Sequence, residues 1–265
     1  MLGIATTIEP RMKYKGLETS YSLLYAYEVL ALQYKRKSKP RAAFSDEHKV
    51  GLLGEVPSMN FNNYSFSFAL LNTNAAIVEG LMRSILSELV SEEVDRQVCA
   101  GKQAGKTSRS SPENLLNKFY IEIDAQGGWE RLKEQYASYL GLAIDKTISV
   151  QTKEAMSTLF VLRNILAHGT ALVHPSEQLP DDLKDEPIFK WQSRLQSARV
   201  YLEKQFGHKD IFENLAEYGV PEHFLGKTKD FLAELLPAIK HQPKRAEKTI
   251  SAIQKYSFGY VNITM

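Results

Sequence analysis

The chain has 265 residues, of which 43% are hydrophobic and 24% are charged. These fractions are ordinary for a globular protein and exclude a disordered or fibrous chain. The length is sufficient for one large domain with extensions. The 33 lysines and arginines nearly balance the 31 aspartates and glutamates. This balance excludes the global positive charge of many nucleic-acid binders, so any site for a polyanion must be local.

The cysteine content and the first residues of the chain bear on its cellular location. Cys99 is the only cysteine, which excludes an internal disulfide and a zinc site built from cysteines. Residues 1–16 lack the basic segment and apolar core of a signal peptide, and no stretch approaches the ~18 apolar residues of a membrane span. We therefore expect a cytoplasmic protein that is neither secreted nor membrane-spanning.

Helical periodicity runs through almost every long segment, and sustained apolar-polar alternation is absent, so the sequence predicts an all-α fold. A first helix is predicted over 17–37. An irregular loop or short hairpin is predicted at 51–65, where glycine, proline and asparagine cluster, and a strong core helix follows at 66–93. Residues 100–112 are rich in glycine, serine and lysine, which predicts a mobile loop.

Capping residues and helix breakers divide the rest of the chain. Ser111 is expected to cap the next helix, with Pro112 at the first helical position. The acidic stretch 180–187 is expected to be a loop. The helices predicted on either side of it cover residues 114–123, 129–140, 152–168, 188–206, 209–218, 221–240 and 244–256.

The helix predicted over 152–168 combines an apolar surface with a narrow polar strip. Its apolar residues surround most of the helix, so it should be buried: Ala155, Met156, Leu159, Phe160, Val161, Leu162, Ile165, Leu166 and Ala167. Ser157, Asn164 and His168 align on one strip, and Arg163 projects beside them. Because buried polar groups destabilise a fold unless they are paired or face a solvated cleft, the strip predicts a functional site.

These residue types suit RNA cleavage without a metal. In such a reaction a base withdraws the proton of the 2′-hydroxyl, an acid protonates the departing 5′-oxygen, and a fixed cation stabilises the charged phosphorane. A histidine such as His168 accepts and donates protons near neutral pH. Arg163 is permanently charged and presents a planar fork to phosphate. Asn164, one turn before His168, is expected to orient the imidazole or the phosphate.

The segment from Leu162 to Gly169 (LRNILAHG) resembles the Arg-Asn-x-x-x-His signature of HEPN domains, helical modules of prokaryotic toxins, antiviral defence proteins and CRISPR-associated ribonucleases. The resemblance includes residues 74–90, where Glu79 stands where many members carry an acidic or polar residue facing the motif, and it covers about 60–240. Thr170 occupies the position of a tyrosine found in toxins that pair with nucleotidyltransferase antitoxins, so modification of that tyrosine is not expected here.

The resemblance implies an antiparallel helical bundle whose catalytic residues are Arg163, Asn164, His168 and Glu79. It implies an endoribonuclease without metal or cofactor, acting on RNA where two motifs meet in a homodimer, with an antitoxin or defence-system protein as a further partner. The chain then divides into a helical extension at 1–55, the HEPN-like domain at 56–242 and a tail at 243–265.

Other interpretations of these residues remain open. An arginine and a histidine five positions apart are a weak pattern that arises by chance. A catalytically inactive HEPN module would use the same pocket to hold a nucleotide or a protein, and a structural module would serve dimerisation alone. In those cases His168 donates hydrogen bonds to carbonyls at the end of the helix, and Arg163 and Asn164 belong to a polar network in the dimer interface. Glu79 also pairs naturally with Arg83, one turn further along its helix.

Other cationic and metal-binding residue types give weaker signals. Lys102, Lys106 and Arg109 are candidates to bind RNA phosphates, although a solvated, flexible loop is the commoner role of such residues. Four of the histidines outside the motif have no mutual spacing typical of metal ligands, so no metal site is predicted: His174, His208, His223 and His241.

Overall fold

The structure is a computed structural model that describes residues 19–37, 59–106, 110–125, 127–168 and 187–259. These residues form α-helices and one short 3-10 helix, with no strand among them, so the predicted all-α fold is confirmed. The α-helices are α1 (Thr19–Lys37), α2 (Met59–Gln103), α3 (Ser111–Ala125), α4 (Trp129–Leu140), α5 (Ile144–Thr147), α6 (Val150–His168), α7 (Pro187–Phe206), α8 (Ile211–Ala216), α9 (Val220–Leu235) and α10 (Lys244–Lys255). None of the described helices is long and apolar enough to cross a membrane.

Helix α2 is the axis of the core. It has 45 residues and is therefore about 68 Å long. It contacts α1, α3, α4, α6, α8, α9 and α10. Eight of its apolar residues have no exposed surface: Leu70, Leu71, Ala75, Val78, Leu81, Met82, Ile85 and Leu86. Most of the other described helices therefore pack directly on α2, whereas α5 packs on α4 and α9, and α7 packs on α6 and α8.

Both ends of α2 extend beyond the predicted helix, so the loop predictions for residues 59–65 and 100–103 are wrong. At the N-terminal end, Tyr64 packs against Phe68 with ring centroids 4.0 Å apart and against Phe212 at 5.3 Å. At the other end, Val94 is buried. Because aromatic contacts stabilise the N-terminal turns, tertiary packing there outweighs the weak helix propensity of asparagine and serine.

The connection from α2 to α3 contains part of the predicted mobile loop. Residues 104–106 form a turn, whereas 107–109 lie outside the described residues. The predicted cap at Ser111 is wrong by one residue, because the backbone N–H of Ser110 donates to the Glu113 carboxylate at 2.6 Å. This contact is half of a capping box, in which the third helical residue reaches back to the cap.

The helices after α3 follow the predictions with two departures. Residues 144–147 form α5, a single turn too short to show a hydrophobic period. Helix α9 ends at Leu235 and a 3-10 turn, Leu236–Ala238, follows. Pro237 explains this change, because proline has no N–H to continue the α-helical ladder. Residues 180–186 of the predicted acidic loop lie outside the described residues.

The first and last described helices pack directly on the bundle. Helix α1 lies against α2, and α10 contacts α1, α2 and α9. The hydroxyl of Tyr34 donates to the Tyr218 carbonyl at 3.0 Å, and that of Tyr27 donates to the Pro221 carbonyl at 3.3 Å. Long-range polar contacts therefore join α1 to the start of α9. The division of the chain into three regions remains a prediction.

The N-terminus of α6 is fixed by a carboxylate from α9. The Glu234 carboxylate accepts hydrogen bonds from the Ser149 N–H at 2.6 Å, the Ser149 hydroxyl at 3.0 Å and the Thr152 hydroxyl at 2.8 Å. The Ser149 oxygen also accepts from the Thr152 N–H at 3.3 Å, as an N-cap does. Desolvation alone would raise the pKa of Glu234, but these hydrogen bonds hold it below the ordinary value.

Glu234→Gln should therefore destabilise the protein in a pH-dependent way. A carboxyl whose pKa is lowered by folding adds stability above its unfolded-state pKa, and this contribution is lost as the pH falls through the folded-state pKa. We expect the free energy of unfolding to fall by about 1 kcal/mol at pH 7, because solvent screens this partly exposed group. Urea unfolding from pH 7 to 3 should show that the stability difference between the parent and Glu234→Gln shrinks below about pH 4.3. Glu154→Gln, at an exposed position of α6, is the control, and a pH-independent loss would contradict this role of Glu234.

Candidate functional site

Helix α6 carries the motif and has a buried side and an exposed strip. Its buried apolar residues are Ala155, Met156, Leu159, Phe160, Val161, Leu162 and Ile165. Ser157 is exposed, and Arg163 and Asn164 are half-buried. The predicted combination of an apolar helix with a polar strip is therefore confirmed up to Asn164, whereas Ala167, which was expected to be buried, is exposed. His168 is the last residue of α6, and its side chain lies outside the described part of the chain.

The structure brings Glu79 of α2 against the motif. One guanidinium nitrogen of Arg163 donates to Glu79 Oε2 at 3.0 Å. The other terminal nitrogen donates to Asn164 Oδ1 at 3.0 Å. The Glu79 residue is only 8% exposed, whereas 26% of the Arg163 side-chain surface is accessible. A buried carboxylate and a neighbouring amide therefore orient a cation whose edge reaches solvent.

The second oxygen of Glu79 binds two further groups. Oε1 accepts a hydrogen bond from Arg83 at 2.9 Å and from the backbone N–H of Gly128 at 3.1 Å. Arg83 also donates to the carbonyl of Ile123, near the end of α3. Glu79 therefore both faces the motif and pairs with Arg83, so the two interpretations of this residue are compatible. Two guanidinium groups therefore share one carboxylate at this junction.

The α3–α4 turn is held against α6 by an aromatic contact. Trp129, the residue after Gly128, stacks on Phe160 of α6 with ring centroids 4.2 Å apart and planes 6° apart. Its other neighbour is Phe231, at 5.8 Å and 65°. Trp129 is 6% exposed, so the start of α4 is anchored one turn before Arg163. Gly128 is not predicted as a site residue from the sequence, because no local pattern links it to Glu79.

The predicted RNA-binding lysines lie far from the motif. Lys102 is in the last turn of α2 and Lys106 is in the turn that follows, and both are exposed. At about 1.5 Å per residue, Lys102 lies roughly 35 Å along α2 from Glu79. Arg109 is outside the described residues. The structure does not bring these lysines to Arg163, and a role in RNA binding remains a prediction.

The described histidines outside the motif have other partners. His208 contacts Glu217 at 2.9 Å, His241 contacts Glu92 at 2.6 Å, and the ring of His223 is hydrogen-bonded to the Tyr201 hydroxyl at 2.8 Å. Burial lowers the pKa of His223, and Lys227 lowers it further. In the described ranges no group of three or more histidine, cysteine or acidic side chains has a metal-binding arrangement. His174 lies outside those ranges.

A separate cavity of about 740 Å³ opens between α2, α3, the end of α4 and the segment after α9. Apolar side chains such as Leu89, Leu116 and Phe119 line it, together with Arg96 and His241, whereas Glu79 and Arg163 do not. The volume is in the range of small-molecule pockets. The motif is therefore not in this cavity but on the surface formed by α6 and the α3–α4 turn.

The chain matches no protein-family model, no curated protein and no solved structure. The resemblance to HEPN domains therefore depends only on residues of α6 and α2.

Replacing Glu79 tests whether this junction is formed in solution. Glu79→Ala removes charge-assisted hydrogen bonds to two arginines and leaves both guanidinium groups without this partner, so we expect a loss of about 2 kcal/mol of unfolding free energy. Glu92→Ala is a matched control in the same helix, since half of its side chain is exposed and surface ion pairs contribute little. Equal losses in urea unfolding would show that Glu79 is not paired as described.

Proposed function

We propose that the chain is a metal-independent endoribonuclease of the HEPN type, a cytoplasmic toxin or antiviral effector that cleaves RNA through Arg163, Asn164 and His168. The observation that carries the proposal is the partly exposed side chain of Arg163, oriented by Glu79 and Asn164 beside the strip of α6 that ends at His168. A positioned cation with accessible N–H groups is what a phosphorane transition state requires.

Within this proposal each residue of the motif has a distinct role. Arg163 stabilises the charge that develops on the phosphate, and two of its five N–H donors hold it in place within the described structure. Asn164 orients the arginine through its carbonyl oxygen, and its expected role in orienting the imidazole or the phosphate stays a prediction. His168 transfers the proton, as a histidine is able to do near neutral pH. Glu79 positions the cation and does not touch the substrate.

The proposal includes a symmetric homodimer. Cleavage needs both an acid and a base, and one motif contains a single histidine, so two copies facing each other supply both roles. The outer surfaces of α6 and α7 carry apolar residues in solvent, with Val150 71% and Val200 51% exposed. Self-association would cover such residues. Light scattering at micromolar concentration should give the mass of a dimer.

The direct test is incubation of the purified protein with RNA in the presence of EDTA. The expected products carry 2′,3′-cyclic phosphate ends, because the 2′-hydroxyl of the substrate is the nucleophile. Tight binding of RNA or nucleotide without cleavage would instead support an inactive module that holds its ligand at the same pocket. If the protein forms a stable dimer but neither cleaves nor binds RNA, the result would support a structural module that serves dimerisation alone.

A further inference from the structure

The cavity between α2, α3, the end of α4 and the segment after α9 has a largely apolar interior. Its volume of about 740 Å³ is sufficient for a drug-sized molecule. Val90 and Ile239 are its most buried apolar residues, at 5% and 7% exposure. Four further apolar side chains of the lining pack against the core but are only partly buried: Leu89, Leu116, Phe119 and Leu142. A ligand with an apolar body would remove these side chains from water.

Two stacked aromatic rings form part of the lining. Phe119 of α3 and Tyr139 of α4 have ring centroids 4.3 Å apart and planes 18° apart. The Tyr139 hydroxyl donates to the Glu122 carboxylate at 3.2 Å, and Glu122 is not among the lining residues. The aromatic part of the cavity is therefore held in place by contacts within the protein. Flat apolar groups pack favourably against such rings.

The rim of the cavity, formed by the exposed charged residues of the lining, leaves positive charge available to a ligand. Glu92 contacts His241 at 2.6 Å. Glu93 accepts a hydrogen bond from Arg96, whose side chain is still 74% exposed. Lys240 is exposed and has no hydrogen bond or ion pair to any residue that the structure describes. Both carboxylates of the rim are thus paired, whereas Lys240 and the remaining N–H groups of Arg96 can bind an anion.

We propose that this cavity binds a small amphipathic anion, a molecule with a flat apolar body and one carboxylate, phosphate or sulfonate group. The body packs against the aromatic pair and the leucines of the lining, and the anionic group pairs with Lys240 and Arg96. The cavity begins at Leu89, roughly 15 Å along α2 from Glu79. The site is therefore separate from the motif and does not depend on the proposed ribonuclease activity.

The charge preference is tested with two dyes that share one apolar body. Anilinonaphthalene sulfonate carries a negative charge, and phenylnaphthylamine is its uncharged counterpart. Titration of the full chain, followed by the fluorescence of the directly excited dye, gives each dissociation constant. Lys240→Gln should raise that of the anionic dye about fivefold and leave that of the uncharged dye within about twofold. Lys244→Gln, at another exposed lysine outside the lining, is the matched control and should change neither.

A second variant tests whether the dyes bind in this cavity. Ala238 is exposed and lines the cavity, so the indole of Ala238→Trp should occupy part of the space and weaken the binding of both dyes about tenfold. Ala233→Trp, at an exposed alanine of α9 outside the lining, is the control and should bind both dyes as the parent does. Circular dichroism checks that each variant is folded.

Three results would overturn the proposal. The first is the absence of saturable binding of the anionic dye, and the second is equal sensitivity of the two dyes to Lys240→Gln. The third is unchanged binding in a folded Ala238→Trp protein. If Ala238→Trp does not fold, the comparison of Lys240→Gln with Lys244→Gln still decides the outcome, because both lysines are exposed. None of these measurements involves RNA, so failure of this proposal leaves the proposed function standing.

Discussion

Arg163→Ala is expected to abolish RNA cleavage and leave the protein folded. Removal of one positioned donor to a developing oxyanion slows reactions by about 10²–10³-fold, and loss of a full positive charge should exceed that. The fold should tolerate the change, because Arg83 still neutralises the buried carboxylate of Glu79 at 2.9 Å. Single-turnover cleavage of RNA in EDTA measures the rate, and circular dichroism checks the helices.

Two controls separate the chemistry from the charge. Arg163→Lys keeps the positive charge but loses the planar fork, so it should retain partial activity. Arg131→Ala removes an exposed arginine that pairs with Glu134 at the surface, and this variant should cleave at the parent rate. His168→Ala should be as inactive as Arg163→Ala, because acid-base transfer is lost. Parent-like activity in either motif variant would refute the assignment of the motif as the active site.

The motif could be found from the sequence because its residues are local. Arg163, Asn164 and His168 lie within two turns of one helix, so periodicity alone places them on or beside one strip. The apolar character of α6 also predicted which side of the helix is buried. The same reasoning predicted most helix boundaries, since capping residues and helix breakers act within a few positions.

The environment of the motif depends on contacts that no local pattern encodes. Glu79 and Arg163 are 84 positions apart and Glu79 and Gly128 are 49 apart. Only the packing of α2 against α6 and the α3–α4 turn brings them together. The N-terminal end of α2 shows the same limit, because tertiary contacts there outweigh the loop-forming character of the residues. The sequence thus predicts the candidate residues Arg163, Asn164 and His168, whereas the structure shows what orients Arg163.

Trp129→Ala should produce the largest loss of stability among these substitutions, about 3 to 5 kcal/mol. The indole is 6% exposed and lies between Phe160 and Phe231. Its removal leaves a cavity between α4, α6 and α9 and also loses two aromatic contacts. Urea unfolding followed by circular dichroism measures the loss. Trp129→Phe should retain most of the stability, because a smaller ring still stacks on Phe160.

The contact between Trp129 and Phe160 can be isolated with a double-mutant cycle. Trp129→Ala and Phe160→Leu, singly and together, should show a coupling of about 0.5 to 1.5 kcal/mol beyond the lost burial. No coupling, or a Trp129→Ala loss below about 1 kcal/mol, would contradict the stacked geometry. Because Gly128 immediately precedes Trp129 and binds Glu79, loosening this anchor should also free the turn from the motif. The Trp129→Ala protein, assayed where it is still folded, should therefore cleave RNA more slowly than Trp129→Phe, which links the packing of α4 to the orientation of Arg163.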